Sequence, residues 1–137
     1  METLQASILG LGNFALYFGL SIALLFAFKF IYSSITPHTE LELVKEQKSV
    51  AAAAAFVGAI LGFSLALGSA ASNSVNVIDF IIWGIVALVA QIIAYWVVRA
   101  LMPKISERIS EGETSAGIML GGVSIAVGIL NAACMTY

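Results

Sequence analysis

Polar and apolar positions along this chain fall into long blocks. Four runs are uncharged or nearly so: Ile8 to Phe28, Ser49 to Ser69, Val77 to Val98 and Thr114 to Met135. Each is close to the ~20 residues that a helix rising ~1.5 Å per residue needs to cross a ~30 Å hydrocarbon layer. Unpaired backbone groups are costly in lipid, and helices satisfy their own. The pattern therefore predicts an all-α membrane protein with four transmembrane helices. The amino-terminal METLQAS carries Glu2 and no Lys or Arg, unlike a secretory signal, so the first span is expected to stay.

Composition agrees with that pattern. The chain is 61% hydrophobic and 10% charged, with a mean hydropathy of +1.02, where a soluble domain carries about 25% charged residues. The charges also give an orientation. Lys29, Lys45 and Lys48 flank the first connection, Arg99, Lys104 and Arg108 flank the third, and the middle one, SAASNSVNV, has no basic residue. Basic residues near span ends stay on the cytoplasmic side, which predicts cytoplasmic first and third connections with both termini outside. Glu40, Glu42, Glu46, Glu107, Glu111 and Glu113 share those connections, so they are mixed in charge and not polybasic.

The chain also matches itself. A slide of 66 positions lays Gly62 on Gly128 and, with no gap, Asn13 on Asp79, Phe14 on Phe80, Tyr17 on Trp83, Phe30 on Trp96, Pro37 on Pro103 and Ser49 on Ser115. This predicts a duplicated helical hairpin, residues 1–72 and 73–137, within one membrane domain. Each unit holds two spans, so the copies run the same way through the bilayer, a parallel repeat with its pseudo-twofold along the membrane normal.

The second and fourth spans are rich in small residues: Gly58-x-x-x-Gly62, Ser64-x-x-x-Gly68, Gly117-x-x-x-Gly121 and Ser124-x-x-x-Gly128. Association in lipid relies on close backbone approach at such faces. Gly58, Gly62, Ser124 and Gly128 are thus the candidate packing residues, at the centre of a subunit or of a homo-oligomer. The aromatic-bearing first and third spans are expected outside them. The alternative is that these small residues line a permeation path.

Each cytoplasmic connection carries an amphipathic pattern suited to a short turn or helix at the interface, the alternative being a solvated loop that merely joins helices. The first has Thr36 and Pro37 as cap and first helical residue, with Leu41 and Val44 on one face. The second has Ile105 and Ile109, and stops near Gly112.

Polar groups within spans point to function, since they need partners there. The candidate cluster is Asn13, Asp79, Gln91 and Asn131. Asp79 is either the third-residue carboxylate of a helix capped by Asn76 or a cation or proton site facing Asn13. Gln91, near mid-span, is either an inter-helix clamp or a ligand site, and Asn131 is placed to close a network with Asn13 and Asp79. Ser64 and Ser124 can bond to their own helix backbone. Catalysis finds little support: the lone His38 and lone Cys134 belong to opposite membrane faces and make neither a metal set nor a dyad. No phosphate loop, dinucleotide fingerprint or basic nucleic-acid surface is present. The reading is no enzyme, no cofactor, no metal and no nucleic-acid partner.

The segments ITPHTELELVK, SAASNSV, IDFIIWG, ALVAQ, VVRALMPKISE and GILNAACMTY together resemble the YjfL-like family of small bacterial inner-membrane proteins, domain of unknown function 350. The resemblance covers essentially the whole chain, with Pro37, Gly62, Asp79, Trp83, Gln91, Arg99, Pro103, Gly128 and Asn131 as the positions matched to its pattern. It implies a four-span bacterial inner-membrane protein with no established reaction, and an association with envelope-stress proteins. Two functions follow as expectations: a non-catalytic oligomeric scaffold in envelope maintenance that docks cytoplasmic partners, or a narrow channel or transporter for a cation or polyamine.

Overall fold

A computed structural model describes residues 2–35 and 48–135. The predicted interfacial turn at Thr36, Pro37, Leu41 and Val44, and His38 with it, lie outside the described residues. Within them the chain is all helical: α1 Glu2–Ile35, α2 Val50–Asn73, α3 Val77–Leu101, the short α4 Ile105–Ser110 and α5 Thr114–Cys134. Four of these, α1, α2, α3 and α5, are long and apolar enough to cross a membrane. At ~1.5 Å per residue, the 34-residue α1 reaches about 51 Å and outruns the hydrocarbon layer.

Caps account for where the helices begin and end. The Ser49 hydroxyl accepts from the Ala52 amide at 3.1 Å and opens α2. The Asn76 side chain accepts from the Asp79 amide at 2.9 Å and opens α3. Pro103, which lacks an N–H and cannot continue the ladder, follows α3. Lys104 then turns the chain through the left-handed region, φ 65°, into α4. Gly112, φ 86°, closes α4. Its amide bonds to the Ile109 carbonyl and the Glu113 amide to the Arg108 carbonyl, the paired bonds of a Schellman stop.

The centre of the bundle is α2 against α5. A Cβ at Gly117 would overlap the backbone of Ala51, one at Gly121 that of Ala54, and one at Gly128 that of Gly62. Further along, the Ser69 hydroxyl donates to the Ala132 carbonyl at 2.9 Å. The register advances in step along both helices, so they run parallel with backbones in contact, as small residues permit in lipid.

The expected peripheral place of the third span needs correction. Phe80, Gly84, Ala87, Gln91, Ala94, Tyr95 and Val98 of α3 are buried, because small residues on that face let it close on α2 and α5. By contrast, α1 buries only Phe28 and Tyr32. Aromatic contacts attach it: Phe28 stacks on Phe63 with ring centroids 4.5 Å apart, Tyr17 meets Phe80 at 5.4 Å, and Tyr32 meets Tyr95 edge-on at 6.2 Å.

Candidate functional site

Three helices converge on Gln91. Its side chain is fully buried on α3, and its Nε2 donates to the Ser124 carbonyl of α5 at 3.0 Å. A Cβ at Gly62 of α2 would stand 2.7 Å from that same nitrogen. Gly62 therefore leaves the space through which an amide reaches a helix carbonyl. Gln91 Oε1 and Ser124 Oγ are buried here with no hydrogen-bond partner. Ser124 thus departs from the expectation that its hydroxyl would return to its own helix backbone. Gly58 belongs to the same seam, where a Cβ would overlap Gly121.

The other polar candidates are not gathered around this point. Asn13 is exposed on the amino-terminal half of α1, which among the described residues packs only from Tyr17 onward. Asp79 serves the start of α3: its Oδ2 accepts from the Val75 amide at 3.1 Å while its own amide is capped by Asn76. The carboxylate also stands in the first turn, where the helix dipole favours negative charge. Asn131 lies on α5 with Nδ2 buried and unpartnered. The polar contact at that end uses other residues: Asn73 Nδ2 donates to the Ser69 carbonyl at 2.9 Å and to its hydroxyl at 3.2 Å, and Ser69 reaches Ala132. The Ser64 and Gly68 pair faces outward, with nothing near a Cβ at Gly68.

At the opposite end, α4 folds back under the bundle. Ile105 and Ile109 are buried, and the Ser106 hydroxyl meets the Tyr95 hydroxyl of α3 at 2.7 Å. The sequence reading missed this pair, because single hydroxyls on separate elements carry no spacing signal. After the turn, Arg108 grips Glu113 through two hydrogen bonds of 2.5 Å. The hydrogen bonds from Arg108, and after them its charge, hold the Glu113 carboxyl below its ordinary range, and the same bonds with the carboxylate charge push Arg108 upward.

Among the described residues no group of three His, Cys, Asp or Glu side chains is placed to hold a metal ion. Cys134 is a free, exposed thiol at the end of α5. These features define a small multi-pass membrane protein, with four candidate spans and a polar clamp inside an interlocked pair of helices.

The family model for Domain of Unknown Function (DUF350) matches residues 6–135. The chain is 45% identical over 124 residues to the "UPF0719 inner membrane protein YjfL" of two strains of Escherichia coli, covering 90% of this chain and 93% of that protein. The chain belongs to the DUF350 family. No solved structure matches it.

Proposed function

We propose that this chain is a non-catalytic inner-membrane scaffold, homo-oligomeric, that presents its α4 side to cytoplasmic partners in envelope maintenance. The inner-membrane location follows from the E. coli relatives, named as inner membrane proteins. The cytoplasmic placement of α4 rests on Arg99, Lys104 and Arg108 near it. One observation carries the scaffold reading: the mid-membrane amide is spent joining helices, Gln91 to Ser124, inside a seam whose backbones touch. Such a seam is closed by backbone contact. The Schellman stop and the Arg108–Glu113 grip hold the α4 turn in one shape, as a docking surface requires.

A narrow channel for a cation or polyamine is the second reading. Its support is the run of buried, unpartnered polar atoms at Gln91, Ser124 and Asn131. Ser124 and Asn131 are seven residues apart on α5 and share a face. The two readings separate in liposomes holding the purified protein. The scaffold reading expects cation and polyamine flux no greater than in protein-free vesicles at any pH or voltage. Flux that Gln91→Leu or Asp79→Asn abolishes, with the protein still folded, would overturn it in favour of a permeation path.

A further inference from the structure

A cavity of about 190 Å³ opens where α3 meets α4, lined by Tyr95, Arg99, Lys104, Ser106 and Glu107. We propose that it binds the phosphate of an anionic glycerophospholipid. Depth is the first argument. Arg99 stands in the last turn of a span, so the cavity sits where hydrocarbon gives way to headgroups, whichever side of the membrane that end occupies.

Charge is the second. The Arg99 and Lys104 side chains are exposed, and neither has a hydrogen bond or ion pair among the described residues. They share one cavity because Lys104 turns the chain with φ 65°, a conformation that a long L side chain rarely adopts. Donors come third. Tyr95 is 1% exposed and Ser106 8%, and their hydroxyls bond to each other. A single bond uses one O–H, so the other hydroxyl proton is left to donate. A guanidinium, an ammonium and a hydroxyl together suit a phosphate group.

Glu107 on the rim identifies which phosphate. Two cations and one carboxylate leave a single positive charge, which the one negative charge of a phosphodiester neutralises. A free phosphate carries about −1.5 to −2 near neutral pH and would face Glu107 with charge to spare. The volume is about six times the ~30 Å³ share of one water, enough for a phosphodiester and too little for acyl chains, which would run along the outer face of α3.

Native mass spectrometry of the full chain in mild detergent, with equal amounts of phosphatidylglycerol and phosphatidylcholine, tests this. One phosphatidylglycerol should be retained per chain in preference to phosphatidylcholine. Arg99→Gln with Lys104→Gln should lower that occupancy about tenfold, since charge-assisted hydrogen bonds are the strong ones. Lys29→Gln, a cation of α1 that does not line the cavity, should leave it unchanged. Glu107→Gln should raise occupancy, a gain that misfolding cannot imitate. Equal retention of the two lipids, or no response to the Arg99 and Lys104 changes, overturns the proposal. Displacement of the lipid by millimolar inorganic phosphate would assign the site to free phosphate and overturn it as well.

Discussion

The α2–α5 seam and the helix α1 are both mostly apolar, yet they meet their surroundings in opposite ways. The seam is built from residues too small to separate two backbones, and Gly58, Gly62, Gly117, Gly121 and Gly128 all stand where a Cβ would strike the neighbouring helix. α1 presents Leu4, Ile8, Leu9, Phe14, Phe18 and Phe26 to its surroundings, and its own Gly10, Gly12 and Gly19 have open space where a Cβ would go. In water, hydrophobicity would separate the inside of a protein from its outside. In lipid both sides are apolar, and side-chain size takes over that role.

The sharpest way to break this contrast is to add one methyl group at matched places. Gly128→Ala drives a Cβ into the backbone of Gly62, and Gly62→Ala strikes both the Ser124 carbonyl and Gln91. Overpacking costs about 1–3 kcal/mol and more where a backbone must move. Each should lower stability by about 3 kcal/mol in detergent unfolding titrations. Gly12→Ala on α1 should stay within about 0.5 kcal/mol of the parent. Equal stability of Gly128→Ala and Gly12→Ala would show that the seam does not hold the bundle.

Smaller effects sharpen the picture. Asn76→Ala removes the cap of α3 and should cost about 1 kcal/mol, read as faster amide exchange in the first turn of that helix. Gln91→Leu loses one bond between helices, for which about 0.6 kcal/mol is typical in membranes. The same change removes the unpartnered Oε1, so a large loss in unfolding titrations would show that Gln91 does more than clamp.

The smallest effect is acid-dependent. The Arg108 hydrogen bond lowers the folded pKa of Glu113. Its contribution is therefore present above the ordinary carboxylate value, about 4.3, and is lost as pH falls through the lower folded value. Arg108 stays charged throughout. Because both groups are partly exposed, only a slight fall in unfolding midpoint is expected on acidification. Glu113→Gln should remove the part of that fall due to this pair.

The four spans could be read from the chain because a bilayer imposes a length, and no charge interrupts it from Ile8 to Phe28. Gly58, Gly62, Ser124 and Gly128 could be picked out because close approach in lipid demands small residues at helical spacing. Ser64 and Gly68 have the same spacing and face outward. Nothing in a helix that is apolar on every side says which small-residue stripe its neighbour will choose. Asp79 could be placed because caps are local, written in Asn76 and the carboxylate three residues on. That Asn13, Asp79, Gln91 and Asn131 stay apart was not legible, since it depends on how far along the bundle each helix sits. Asn13 falls on the part of α1 that packs against nothing among the described residues.

The central claim is that α2 and α5 run parallel with backbones in contact over their length. The direct measurement is disulfide cross-linking in native membranes, using Ser69→Cys with Ala132→Cys in a Cys134→Ser background, chosen because Ser69 bonds to the Ala132 carbonyl. A rapid bridge within one chain is expected, and none when Leu9→Cys of α1 replaces Ser69→Cys. A bridge forming only between chains, or forming equally well from Leu9, would contradict that claim.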